Sequence, residues 1–217
     1  MADCMSTEKD SGSRAERKDR TRAKIIEATI DCVAEYGVDG TTVSLIVERA
    51  HVSRGLAGYH FGSKSELLAA AFRSLTDDYR ALLGIVPGRE PEFGPDVEDL
   101  LRQVIRRSLN DKQYAWFGFW VLARTDPEVR RANREVFDDT SRYLGEILAA
   151  IARRRGRVID AERAGRALSV TIEGAWLNLT VGTEGFTMEE ALSVCERHAW
   201  DLLRGEEEDG EEEGAAS

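Results

Sequence analysis

Three histidines, three cysteines and four prolines are all that this 217-residue chain contains of those residue types, and each scarcity excludes something. Cys4, Cys32 and Cys195 are odd in number and far apart, so they outline neither a disulfide framework nor a zinc site, and reduced thiols in a cytoplasmic protein are expected. His51, His60 and His198 have no metal-ligand spacing, and no H-E-x-x-H, P-loop, G-x-S-x-G or C-x-x-C occurs. No metal, cofactor or enzymatic chemistry is therefore expected. No apolar run approaches the roughly 20 residues that cross a bilayer, and residues 1–12 lack the apolar stretch of a secretory signal. Three of the four prolines are confined to residues 84–95. Abundant Ala, Leu, Arg and Glu fill the rest, with few alternating β-branched runs, and this predicts an all-α fold.

The net charge of −10 is sorted along the chain. Residues 206–217 hold seven acids and no base, which leaves −3 on everything before them. Near the other end Arg14, Arg17, Lys18, Arg20, Arg22 and Lys24 stand against only Glu16 and Asp19. A basic arm over residues 1–19 and an acidic tail over 206–217, both disordered, are expected. The basic run leads straight into the first predicted helix and so reads as functional.

Between these ends the punctuation marks out helices. The first is predicted from near Arg20 to Tyr36, closed by Gly37 at a favourable C′ position. Another runs from Lys64 to Leu83, followed by the Gly/Pro-rich break at 84–95. Segments 96–110 and 112–124 read as helices. Asp126-Pro127-Glu128 then supplies an N-cap, a proline at N1 and an early acid for a helix reaching Arg155. Asp160 opens a helix to about Val181, and Thr187 with Glu190 forms a capping box for one ending near Arg204. The basic cluster Arg153, Arg154, Arg155 and Arg157 reads as charge offsetting a helix C-terminus, with a nucleic-acid site as the alternative.

Residues 41–67, TTVSLIVERAHVSRGLAGYHFGSKSEL, carry the most information. They read as two short helices joined by a tight turn, followed at once by a third helix. Val43, Ile46, Val47, Ala50, Val52 and Leu56 are spaced to share a small core. Ser53 is placed to cap the second helix, and Ser63 with Glu66 forms an S-x-x-E box for the third. This is the layout of a helix-turn-helix whose second helix enters a DNA major groove. Arg54 is the long donor able to pair bidentately with a guanine edge, and Leu56 or Ala57 offers a methyl contact to thymine. Arg22, Ser53 and Gly55 are also expected to bind DNA, and Thr42, Tyr59, His60 and Lys64 are expected along the phosphates. His60 serves either there or in a local hydrogen bond.

On these residues the segment resembles the DNA-binding domain of the TetR family of bacterial transcriptional regulators. Thr42, Ile46, Ala50, Val52, Ser53, Gly55, Phe61, Lys64 and Leu67 match the family's usual pattern, and the resemblance is dense from about Thr21 to Leu68. His51 stands where the family usually has a turn glycine, and Gly58 where it often has an aromatic residue. The resemblance implies a three-helix reader over residues 20–66 and a helical effector-binding and dimerisation domain over 67–205. It also implies a homodimer that binds a palindromic double-stranded operator.

Two features of the second part follow. Leu168, Ile172, Ala175, Leu179 and Leu192, Cys195, Ala199, Leu202 form apolar rows at helical spacing, with Gly165 and Gly174 permitting close approach. They pack within one subunit or join two, and the resemblance favours the dimer. The run AWFGFW places Trp116, Phe119 and Trp120 on one helix face, and Trp176 follows Glu173 on a later helix. Such rings are either core or the wall of an effector cavity. The segments AWFGFWVLA and IEGAWLNLTVG are similar to the BetI-like subgroup of choline-responsive repressors. The resemblance implies that Trp116, Phe119, Trp120 and Trp176 hold a quaternary ammonium by cation–π attraction with Glu173 adding charge. A DNA-binding dimer with no effector, or with an unrelated hydrophobic one, is the alternative.

Overall fold

The computed structural model describes residues 5–86, 88–109 and 114–204, with side chains from residue 15. Among the described residues every regular element is a helix: α1 (Met5–Gly40), α2 (Val43–Arg49), α3 (Arg54–His60), α4 (Lys64–Leu83), α5 (Val97–Leu109), α6 (Ala115–Leu122), α7 (Pro127–Arg154), α8 (Ala161–Thr180) and α9 (Met188–Arg204). The chain divides into two compact units, residues 1–78 with 113–133, and 79–112 with 134–217.

In the first unit, α1 starts well before Arg20. Residues 5–19, expected as a disordered arm, continue the helix because nothing there stops it: no proline intervenes, and extending an existing helix is far easier than nucleating one. Thr21 anchors this stretch by donating its hydroxyl to the Arg17 carbonyl at 2.9 Å. Gly37 breaks the helix at φ 67°, ψ 176°, a conformation that glycine reaches without a Cβ clash. The acidic tail and residues 1–4 lie outside the described residues.

The boundary at 66/67 is also displaced, because α4 up to Asp78 and all of α6 group with the reader. Leu67, Leu68, Ala71, Phe72 and Leu75 form a buried stripe on α4. The Phe72 ring meets Trp116 edge-on at 5.6 Å and Phe119 at 4.9 Å. Gly118 sits where α6 crosses α1, since a Cβ there would lie 2.5 Å from Val33 Cγ1. The glycine inside the aromatic run is thus a helix-crossing residue. Asp126 caps α7 through the N–H groups of Glu128 and Val129 at 2.9 and 3.1 Å, and accepts the Ser65 hydroxyl at 3.0 Å.

In the second unit, Leu101, Ile105, Leu144, Ile147, Leu148, Ile151 and Leu168 are fully buried. A Cβ on Gly165 would fall 2.0 Å from the Ser141 carbonyl oxygen, and one on Gly145 would fall 2.1 Å from that of Ala161. Gly165 therefore serves the α7–α8 crossing within the unit. Leu168, Ile172, Ala175, Cys195 and Ala199 are likewise buried in the single chain, so most of the two apolar rows belong to this core; Leu179, Leu192 and Leu202 are half-buried. What α8 and α9 leave exposed is a different set, Val170, Leu177, Val181 and Val194, beside Gly174, which has open space around it. An ion pair between Arg80 Nε and Asp139 Oδ2, 2.9 Å apart and largely buried, ties α4 to α7. No helix among the described residues is long and apolar enough to cross a membrane.

Candidate nucleic-acid interface

The reader is built from two caps and one turn. Thr42 starts α2 by accepting the Leu45 N–H on its hydroxyl at 3.2 Å, and Ser53 starts α3 in the same way through Leu56 at 3.2 Å. Between them His51 adopts φ 53°, the left-handed turn conformation that the substitution of histidine for glycine requires. Ile46, Ala50 and Ala57 are buried beneath the pair. Leu56, expected in that core, is 38 % exposed, so it is the apolar side chain of α3 left free for a partner, and Ala57 is the one committed inside.

The outer face of α3 consists of Arg54, Gly55, Leu56, Gly58 and Tyr59, all exposed. Arg54 is held by a 3.4 Å hydrogen bond from its guanidinium to the Ser44 hydroxyl on α2. Tyr59 is 70 % exposed and carries the Lys18 ammonium 5.4 Å from its ring centroid. Arg22 lies 5.3 Å over the ring of Phe61. These two contacts bring the basic stretch of α1 alongside α3, where their charge reinforces attraction for phosphates. His60 is half-buried; burial, then the charges of Lys18 and Arg22, push its imidazole below the ordinary histidine value, so it is neutral at pH 7. It packs edge-on against Tyr59 at 5.4 Å.

Lys64 and Glu66 make contacts beyond those expected. Lys64 donates to the Val38 carbonyl at 3.0 Å, bracing α4 against the chain leaving α1. In the Ser63–Glu66 box, Ser63 accepts the Glu66 N–H at 3.1 Å, but the Glu66 carboxylate accepts the N–H of Gly62 at 3.2 Å in place of that of Ser63. Sequence reasoning also missed Ser44 and the Glu35–Arg49 pair that pins α2 to α1. Both depend on partners ten or more positions away, for which local spacing gives no signal.

The aromatic residues fall in both units. In the first, Phe119 has no accessible surface and Trp116 only 6 %, while Trp120 is half-buried, 6.3 Å from Trp116 and edge-on to Phe117 at 6.0 Å. In the second, Trp176 is buried at 6 %. Glu173 keeps an exposed edge, yet protein atoms crowd its carboxyl enough that lost hydration raises it above the ordinary glutamate value of 4.5. It makes no ion pair among the described residues. Cys32 and Cys195 are buried free thiols, that of Cys195 pushed up to about 11 by burial. No three His, Cys, Asp or Glu among the described residues group as metal ligands.

A capped helix-turn-helix with an exposed, base-flanked second helix, joined to a larger helical body, defines a DNA-binding transcriptional regulator. Residues 25–71 match the family described as bacterial regulatory proteins, tetR family, and residues 96–204 match the BetI-type transcriptional repressor C-terminal family. The chain belongs to the TetR family, in its BetI-type branch. It is 30 % identical over 188 residues to the transcriptional regulator BetI of Burkholderia cenocepacia, covering 84 % of this chain and 93 % of that protein. A transcriptional-regulator structure from Pseudomonas aeruginosa PAO1 superposes with a TM-score of 0.72 at 26 % identity, covering 86 % of this chain and 92 % of that one. A structure from Saccharomonospora viridis, solved in complex with choline, has the same fold with a TM-score of 0.67 at 19 % identity over 87 % and 97 % of the two chains. The family is one of regulators and not of enzymes.

Proposed function

We propose that the protein is a cytoplasmic repressor. Two copies set their α3 helices into the half-sites of a palindromic operator, and a small cation of the quaternary ammonium class releases them. The observation that carries the DNA part is α3 itself. Arg54, Leu56 and Tyr59 project from a helix with a rigid start, and Lys18 and Arg22 add charge at its side. Arg54 reads a guanine edge and Leu56 a thymine methyl. Arg22, Thr42, Ser53, Gly55, Tyr59, His60 and Lys64 border the phosphates and fix register.

Dimerisation is assigned to the faces of α8 and α9 that the single chain leaves uncovered. Val170, Leu177 and Val181 follow one another at helical spacing, with Gly174 open between them and Val194 exposed on α9. Two linked readers multiply their affinities.

The effector class is supported by the BetI-type match over residues 96–204 and by the same-fold protein solved with choline. It is also supported, in each unit taken by itself, by the chemistry of Trp116 with Trp120 in the first and of Trp176 in the second, since indole rings attract a methylated ammonium at roughly 0.5–2 kcal/mol per good contact. Glu173, crowded, one turn before Trp176 in the second unit and in no ion pair among the described residues, would supply charge there. Binding releases DNA if the cation prefers the subunit arrangement that mis-spaces the readers. A second reading, a dimer with no effector, draws on the burial of Phe119 and its packing on Phe72 as ordinary core. Titration calorimetry with choline, betaine and an uncharged isostere of choline separates the two. Heat with choline, and with the zwitterion betaine through its trimethylammonium group, lost in Trp120→Ala, supports the first reading; no heat, or equal affinity for the neutral isostere, supports the second.

A further inference from the structure

The function above leaves the arginines at the end of α7 without a task. Among the described residues only one of the four is paired with a carboxylate: Arg155 with Glu98 at 2.7 Å. Arg154 directs its guanidinium to the carbonyls of Phe93, Gly94 and Pro95 at 3.2, 2.7 and 2.7 Å. Arg157 donates to the carbonyls of Leu203 and Arg204, at 3.4 and 2.8 Å. Arg153 makes no ion pair among the described residues. Carbonyl oxygens satisfy N–H donors but do not cancel a cation, so this end of the helix keeps uncompensated charge.

Beside it lies a cleft of about 520 Å³ walled by Arg155, Arg157, Arg204, Trp200 and Leu203. The guanidinium groups of Arg155 and Arg102 lie 4.7 and 5.7 Å from the centroid of the Trp200 ring. The carboxylates already engaged by these arginines are Glu98, Asp99 and Asp201.

The chain leaves α9 at Arg204 and continues as Gly205, Glu206, Glu207, Glu208, Asp209, Gly210, Glu211, Glu212 and Glu213. Arg157 grips the last two carbonyls of α9 and therefore stands at the root of this segment. An extended chain advances at most about 3.3–3.6 Å per residue, which puts the first three glutamates on the order of 7–14 Å from Arg204, within reach of the cleft. We propose that this acidic segment docks its leading carboxylates into the arginine cleft of its own chain. It thereby shields a basic surface that otherwise competes with the reader for nucleic acid and other polyanions. The tether gives the segment a high effective concentration, and carboxylate–guanidinium geometry favours the pairing. Exposed ion pairs add little to stability, so melting temperature is not the readout.

The test uses the full chain. In the variant Arg157→Lys, a zero-length carbodiimide is expected to couple the new amine to Glu206, Glu207 or Glu208 of the same chain, as established with a mixture of isotopically light and heavy protein. At 1 M salt, where the Debye length is about 3 Å, the link should fade. Coupling only to Glu98 or Asp201, or only between chains, overturns the proposal. Independently, E206Q/E207Q/E208Q should bind heparin several-fold more tightly than the unmodified chain, and adding Arg157→Gln should remove the gain. An unchanged affinity contradicts docking, and a gain that survives the loss of Arg157 contradicts docking in this cleft and points to the basic stretch of α1 as the segment's partner.

Discussion

Arg54 begins α3 with its guanidinium held by one long hydrogen bond to Ser44, which a guanine edge can replace at little cost. Arg54→Ala should therefore leave the fold intact and lose discrimination among operator sequences by about 1–3 kcal/mol, measured by competition between cognate and scrambled duplexes. Lys64 is different, because its ammonium also braces the Val38 carbonyl. Lys64→Ala should flatten the salt dependence of binding by about one unit and also lower the melting temperature. A variant with an unchanged melting curve would show that the Val38 contact carries no stability. Glu173 gives a pH-dependent case. Its carboxyl is raised by burial, so the folded state favours the protonated form, and this contribution to stability fades as pH rises from the unfolded value of 4.5 through the folded one. If Glu173 faces the effector, a bound cation favours the carboxylate. Choline affinity should then rise with pH across that window and stop changing above it, and Glu173→Gln should abolish the trend. Affinity indifferent to pH in the unmodified protein would remove Glu173 from the site.

The helix ends were legible at the scale of elements because a cap is a local object. Ser53, Asp160 and the Thr187–Glu190 pair each sit three residues from the N–H they satisfy, and the structure forms all three caps. His51 in its left-handed turn belongs to the same class. Crossings between helices were not legible, since they depend on what arrives from far along the chain. Gly118 meets Val33 and Gly165 meets Ser141, and neither spacing announces its partner. Periodicity left Leu56 between the core and the DNA-facing side for a related reason: it shows that a residue can face a core but not whether the short α3 has enough neighbours to cover it. The arginines after residue 152 matched the expected structural role only in outline, because the carbonyls that they bind belong largely to the 93–95 loop and to the end of α9. Two glycines of α8 turn this contrast into a prediction. Gly165→Ala drives a methyl into backbone and should destabilise by about 1–3 kcal/mol or more. Gly174→Ala meets open space and should stabilise the helix by roughly 0.5–1 kcal/mol in a dilute thermal melt. Because Gly174 lies in the face assigned to the dimer, the same variant should also weaken self-association in sedimentation, and an unchanged dimer would place Gly174 outside the seam.

For the molecule as a whole, the all-α class and the division into a reader and a larger helical body followed from proline placement, capping and the pattern at residues 41–67. The position of the division did not, because α4 and α6 complete the reader's unit through Phe72, Trp116 and Phe119, a ring cluster assembled from segments more than 40 residues apart. The apolar rows on α8 and α9 lie largely on the inner faces of those helices. The outer residues Val170, Leu177, Val181 and Val194 are those left to cover. Leu177→Asp should accordingly shift sedimentation from dimer towards monomer without loss of helicity, whereas an unshifted dimer would move the interface elsewhere. All of this converges on one claim: that two copies of α3, fixed by symmetry, read a palindrome. Selection of binding sites from a random duplex pool tests it most directly. The account predicts enrichment of an inverted repeat whose half-sites lie about one helical turn apart, or a multiple of it, and loss of that enrichment in Arg54→Ala. Recovery of a single asymmetric site, or of no consensus at all, would contradict it.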